Sequence, residues 1–189
     1  MTKSIMIVGV GGQGTLLASR LLGNALLKAN YDVKISEVHG MSQRGGSVVT
    51  YVRYGESVDS PIIEKGEADI ILSFEQLEAA RWLPYLKATG KIIVNTQCID
   101  PMPVITGQAT YPDGIISSLK KIADVLPVNA LELAMTAGNP KAVNVALIGV
   151  MASQTEIPYE VWIETIKETV PEKFLELNLK AFDLGYAKN

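Results

Sequence analysis

Ile5-Met6-Ile7-Val8-Gly9-Val10-Gly11-Gly12-Gln13-Gly14 is the stretch that decides the fold. Residues 5–8 form a short, unbroken apolar run, the pattern of a strand covered on both faces in a parallel sheet. Glycines then end the strand. From Thr15 to about Ala29 the period becomes helical. Leu17 and Leu21 share one face, and Ala18, Leu22, Ala25, Leu26 and Ala29 widen it. Residues 33–38 read as a second strand, so strand, glycine turn, helix and strand make a βαβ unit. The second strand ends at another glycine cluster, Ser42-Gln43-Arg44-Gly45-Gly46. Both clusters therefore belong at one end of one sheet, where open α/β proteins bind ligands.

Further out, residues 47–54 are rich in Val, Thr and Tyr and read as a strand. Residues 58–63 read as an extended segment paired back on it, at an edge because of Pro61. Buried strands are expected at 68–74 and 91–95, with a helix at 75–85 stopped near Pro84. Residues 96–112 carry prolines at 101, 103 and 112 and read as irregular. Asp113 is the expected N-cap of a helix over 114–124. Residues 125–128 read as a last, weak strand, and Asn129 as the cap of a helix to about 136. The remainder reads as helices over 141–153, 158–170 and 171–184, with Pro158 and Pro171 in first turns. The fold class is thus α/β: a Rossmann-like, mostly parallel open sheet flanked by helices. It forms one domain over 1–189, with a sheet core over 1–128 and a mainly helical part over 129–189.

Composition removes several function classes. The chain has 189 residues, 48% hydrophobic and 20% charged, which suits a globular domain with a real core. A net charge of −3 gives no basic face for a nucleic acid. Cys98 is the one cysteine and His39 the one histidine. An internal disulfide, a four-cysteine iron–sulfur cluster and a cysteine-rich zinc site are all excluded. No apolar run approaches ~18 residues, and Met1-Thr2-Lys3-Ser4-Ile5 lacks the charged leader and long apolar region of a secretory signal. A cytoplasmic protein is expected.

The glycine clusters carry the chemistry. Gly9, Gly11 and Gly14 match the G-x-G-x-x-G dinucleotide fingerprint, in which the backbone turns tightly and the helix N-terminus faces an anion. That fingerprint wants an acidic residue roughly 20 residues on, and Glu37 lies 23 residues after Gly14. The same glycines would equally serve close strand–helix packing with no nucleotide. In the second cluster the Arg44 guanidinium stands beside two glycines, a pairing suited to phosphate or carboxylate, and Ser42 and Gln43 add neutral donors. A polar loop that only turns the chain into Ser47 is the alternative. His39 has no identifiable carboxylate or cysteine partner and reads as a hydrogen-bonded structural residue.

Two families share parts of this pattern. The adenylate-forming activators of ubiquitin-like proteins have a similar glycine turn, but carry D-x-D at the end of the second strand and cysteine pairs for zinc. Here that position reads Ser36-Glu37-Val38-His39, and the cysteines are missing. The combination of Gly-Val-Gly-Gly-Gln-Gly at 9–14 with His-Gly-Met-Ser-Gln-Arg-Gly-Gly at 39–46 resembles the gamma-type domain of the 2-oxoacid:ferredoxin oxidoreductases. Gly66-Glu67-Ala68-Asp69, Glu75-Gln76-Leu77-Glu78-Ala79-Ala80-Arg81 and Asn144 within Val143-Asn144-Val145-Ala146-Leu147-Ile148-Gly149 extend the resemblance over essentially the whole chain. Pyruvate-type members tend to carry Glu and an aliphatic residue or Met before Arg-Gly-Gly. Ser42-Gln43, with His39-Gly40-Met41 ahead, is closer to the branch acting on aryl 2-oxoacids such as indolepyruvate, as is the run from Asn178 to Gly185.

The resemblance implies oxidative decarboxylation of an aryl 2-oxoacid to an acyl-coenzyme A, with electrons passed to ferredoxin. It implies thiamine diphosphate, Mg and iron–sulfur clusters on a large partner subunit, because this chain has neither the cysteines nor a Gly-Asp-Gly…Asn-Asn thiamine signature. The chain is then the small subunit, inactive alone. Its candidate cofactor-binding residues are Gly9, Gly11, Gly12, Gln13, Gly14, Ser42, Gln43, Arg44, Gly45 and Gly46, facing the partner's active site or coenzyme A phosphates, with no metal site and no assigned catalytic residue. An independent NAD(P)-dependent oxidoreductase and a non-catalytic ligand-sensing or docking domain are the other readings. A small subunit should also expose an apolar patch, for which Trp82, Trp162, Tyr159 and Tyr186 are candidates, unless they are helix-core positions.

Overall fold

The computed structural model describes residues 2–39 and 46–188. Among them the strands are β1 (Lys3–Val10), β2 (Asp32–His39), β3 (Ser47–Gly55), β4 (Ala68–Ser73), β5 (Leu86–Asn95) and β6 (Asp124–Val128). The helices are α1 (Thr15–Lys28), α2 (Gln76–Trp82), α3 (Met102–Ile105), α4 (Ile115–Leu119), α5 (Ala130–Ala137), α6 (Val143–Ala152), α7 (Tyr159–Thr169) and α8 (Leu175–Tyr186). The strands form one sheet in the order β2-β3-β1-β4-β5-β6. β1, β4, β5 and β6 run parallel, and β3 runs against both β1 and β2.

β1 lies inside the sheet, and seven of its eight residues are buried, which is why its sequence is unbroken apolar. Alternation then sorts the side chains by face. Ile5 and Ile7 pack with Val52, Leu72 and Ile93 beneath α1, α6, α7 and α8. Met6 and Val8 pack with Val49, Ile71, Ile92 and Val94 beneath α2 and α4. The first face is the thicker one, because the helical C-terminal third folds back over it. In α6, nine consecutive residues from Asn144 to Ala152 are buried, as expected for a helix apolar all round. It crosses α8 backbone to backbone. A Cβ on Gly149 would stand 2.2 Å from the Phe182 carbonyl oxygen, and one on Gly185 2.0 Å from that of Ala146.

Five sequence expectations change. First, β1 and β2 are not neighbours. β3 inserts between them, pairing with β1 from Lys3↔Tyr54 to Val10↔Ser47 and with β2 from Asp32↔Gly55 to His39↔Val48. A β2–β3 hairpin needs only a short connection, whereas a parallel pair needs a crossover, so the chain closes the local pairing and fills the slot. Second, residues 58–63 do not form a strand. Val58 donates its N–H to the Asp32 carboxylate at 2.8 Å, and Arg53 donates to the Ile62 carbonyl at 3.0 Å, so side chains hold the segment. Pro61, with no N–H, fits that arrangement. Third, Asp113 does not cap α4. Gly114 does, at φ 65°, and the helix ends at Leu119 so that β6 can start at Asp124. Fourth, β5 begins earlier than expected, at Leu86, and the irregular segment contains the single turn α3. Fifth, Trp162 is fully buried, and Tyr159 and Tyr186 pack against Phe182. Trp162 is thus a core residue, Tyr159 and Tyr186 are half-buried at the edge of that core, and Trp82 is half-buried against Tyr85. Pro158 and Pro171 sit one place ahead of the first turn, as caps.

Candidate functional site

The first glycine cluster is a tight loop between β1 and α1. Gln13 turns inward and holds it. Its side-chain oxygen accepts from the Val10 N–H at 2.8 Å, and its Nε2 donates to the Phe74 carbonyl at 3.0 Å, tying the loop to the end of β4. That amide is spent within the fold. Gly9 is packed, with a built Cβ 2.9 Å from the Gln13 oxygen and 3.0 Å from Phe74. Gly14 has φ 82° and is covered by Asn144, whose Nδ2 donates to its carbonyl at 3.3 Å. Gly12 differs: it is exposed, has φ 101°, and a Cβ there would meet nothing. Close packing therefore accounts for Gly9 and Gly14. Gly12 is the position where the backbone lies open. α1 begins beside it with no side-chain cap, so its N-terminus presents peptide N–H groups at the positive end of a 14-residue helix.

The two glycine clusters meet. The Gly11 N–H donates to the Gly46 carbonyl at 2.9 Å. Ser42, Gln43, Arg44 and Gly45 lie outside the described residues, as does the side chain of His39. The expectation that both clusters stand at one end of one sheet therefore holds at Gly11 and Gly46, the C-terminal end of the parallel strands.

Two further groups at this end were not singled out as site residues in the sequence. Glu75 and Glu78 follow β4 and are 1% and 4% exposed. Glu75 caps α2 by accepting the Glu78 N–H at 3.0 Å. It also accepts from the Ile99 N–H at 3.2 Å and from the Tyr111 hydroxyl, so it gathers the 96–112 segment over the edge. Burial, and next the bond to Glu75, push the Tyr111 phenol well above its usual range. Glu78 accepts from Arg81 Nε at 3.0 Å, from Trp82 Nε1 at 3.3 Å and from the Ser47 hydroxyl. Buried carboxylates are costly unless several donors surround them, and each of these has three. The buried Asn95 completes the rim, donating to the Phe74 carbonyl at 3.1 Å and accepting from the Ala130 N–H at 3.2 Å. The readable signal was Glu-x-x-Glu straight after an apolar strand, a capping pattern. The partners of Glu78 and Glu75 beyond α2 come from residues 31 positions away, and 24 and 36 positions away, and could not be read locally.

The dinucleotide arrangement is not built. Glu37 is on β2, which β3 separates from β1. At one strand spacing of about 4.8 Å per step, it stands roughly 10 Å from β1 in the plane of the sheet. The fingerprint places its acid on the neighbouring strand.

Cys98 is exposed, and among the described residues no group of three or more His, Cys, Asp or Glu side chains is placed to hold a metal ion. With a single cysteine in the chain, the residues present do not fit an iron–sulfur cluster.

The chain is 45% identical over 190 residues to the indolepyruvate oxidoreductase subunit IorB of Thermococcus kodakarensis, covering 96% of this chain and 93% of that protein. It is 46% identical over 190 residues to the subunit of the same name from Pyrococcus horikoshii, with the same coverage. Its fold matches the crystal structure of a keto/oxoacid ferredoxin oxidoreductase gamma subunit from Geobacter sulfurreducens, with a TM-score of 0.74, 23% identity, and 98% and 97% of the two chains covered. The model of the pyruvate ferredoxin/flavodoxin oxidoreductase family matches residues 4–188, and the chain belongs to that family.

Proposed function

We propose that this chain is the small subunit of a ferredoxin-dependent oxidoreductase that converts an aryl 2-oxoacid such as indolepyruvate, with coenzyme A, into acyl-coenzyme A and carbon dioxide, two electrons passing to ferredoxin. The observation that carries the reading is near-full-length identity of 45% to a protein named as a subunit of indolepyruvate oxidoreductase. A large partner subunit supplies thiamine diphosphate, Mg and iron–sulfur clusters, and with them the decarboxylation and electron-transfer chemistry. This chain supplies a wall. The open backbone at Gly12 and the α1 N-terminus take an anionic group, for which the phosphates of coenzyme A are suited. Arg44, with Ser42 and Gln43, supplies the charged contact.

Exposed apolar side chains mark the docking face. Leu16 lies in the first turn of α1, Val38 next to the last residue of β2, Met102 and Ile105 beyond β5, and Leu131 in the first turn of α5, all near strand ends on the glycine side; they are 43–65% exposed. This face, in place of the four aromatics, none of which is exposed, is where the large subunit covers the chain. No described helix is long and apolar enough to cross a membrane, in keeping with a cytoplasmic complex.

The test is reconstitution. The large subunit encoded with this chain should turn over indolepyruvate only when the chain is added, and the chain alone should be inactive. Titration of the isolated chain with NADH or NADPH should show no tight binding. Micromolar dinucleotide binding would favour an independent NAD(P)-dependent oxidoreductase. Turnover unchanged by adding the chain would favour a docking domain.

A further inference from the structure

We propose that Glu78 is a positioning residue for the Gly11–Gly14 turn, acting through the first residues of β3. This rests on the reading above, in which that turn meets an anionic group in the assembled enzyme. The Glu78 carboxylate is nearly fully buried, and two of its donors, Arg81 and Trp82, belong to its own stretch of chain. Those two would satisfy it locally. The third donor does not come from α2: Ser47, 31 residues away, is the first residue of β3 and stands opposite Val10 in the ladder. The residue before it, Gly46, accepts the Gly11 N–H at 2.9 Å. A continuous path therefore runs from Glu78 through Ser47 and Gly46 to Gly11, next to the open Gly12.

The other supports of the turn hold different parts of it. Gln13 ties it to β4 and Asn144 covers Gly14. Among the described residues, the path through Ser47 and Gly46 is the one that reaches Gly11 from the β3 side. A carboxylate is suited to this place because one group accepts from a hydroxyl, an indole and a guanidinium at once. Losing it leaves the Trp82 N–H and the Ser47 hydroxyl without that acceptor, so that the start of β3 is held by its ladder pairing with Val10 and no longer by α2. Misplacement of a ligand-holding backbone by about 1 Å is enough to cost turnover up to ~100-fold.

The experiment uses the full chain and the reconstituted complex. In Glu78→Ala, amide exchange at Gly11 and Val48 should quicken about tenfold or more relative to the amides of β4 and β5. In the complex, the KM for coenzyme A should rise about tenfold, with a smaller change in kcat. Glu78→Gln, which keeps one accepting oxygen, should recover most of both effects. Should Glu78→Ala fail to fold, Ser47→Ala removes the same bond while leaving the carboxylate its two nearby donors. Unchanged exchange at Gly11 overturns the proposal. So does equal loss of protection across all strands, which marks a merely structural residue, and so does a loosened Gly11 with an unchanged KM. If the unmutated complex turns over no 2-oxoacid, the functional reading fails instead, and amide exchange still decides whether Glu78 holds the turn.

Discussion

The two ends of the sheet are built in opposite ways. The end where β1 and β4 start holds a cleft of about 610 Å³, lined among others by Lys3, Tyr31, Tyr54, Asp69 and Glu156. Of its polar groups, Asp69 is engaged by the surrounding fold: it accepts from the Ser4 N–H at 2.8 Å and pairs with Lys87 at 2.7 Å. Towards the glycine end, the described residues form a smaller hollow of about 180 Å³ beside Leu17 and Asn144. Yet this end carries the left-handed Gly12 and Gly14, the α1 start with no side-chain cap, and the buried carboxylates of Glu75 and Glu78. Volume alone would point to the end opposite the one proposed above. The carboxyl ends of parallel strands are where loops and helix N-termini converge in an open sheet, and under the proposed reading, in which the chain forms one wall of a shared site, no deep pocket of its own is needed.

Three changes would break or sharpen this contrast, from the largest expected effect to the smallest. Arg44→Ala should lower turnover of the reconstituted complex about 10- to 100-fold, the size expected for one charge-assisted contact, while co-purification of the two subunits is unchanged. Turnover at the native level would make Arg44 a surface residue. Gly14→Ala places a Cβ at φ 82° and 2.6 Å from Asn144 Nδ2. It should destabilise the chain by about 1–2 kcal/mol, read from denaturant midpoints, with a further loss of activity because α1 starts there.

At the opposite end, burial, followed by the nearby Tyr31, pushes the Tyr54 phenol up to about 12. Its folded pKa thus exceeds the unfolded value of about 10. The stability linked to it is complete below pH 10 and is lost as pH rises towards 12. Tyr54→Phe should shrink the fall in melting temperature between pH 9 and pH 11, with turnover at neutral pH unchanged. A large loss of turnover would show that the cleft takes part in function after all.

Legibility followed the range of the interactions. The apolar run 5–8, the periodicity of α1 and the Asn129 cap, which accepts the Glu132 N–H at 3.2 Å, are local matters and read correctly. The helical C-terminal third was likewise visible from its own periodicity. The place of β3 was not, because alternation along 47–54 says that a strand forms and is silent about its neighbours. Asp113 and Gly114 compete for one cap, and the need to begin β6 at Asp124 shortened α4. Trp162 looked like a surface candidate because an aromatic at helical spacing fits core and interface equally.

The residues themselves determined that this is an α/β chain with a glycine turn between its first strand and helix, and with too few cysteines for a cluster of its own. Only the tertiary structure decided that β3 divides β1 from β2, that Gln13 and Asn144 close most of the glycine turn while Gly12 stays open, and that Glu78 reaches Ser47. The reason is physical. Backbone conformation and cysteine content are properties of a few adjacent residues. A buried carboxylate's partners, and the neighbours of a strand, are chosen only when the whole sheet has closed.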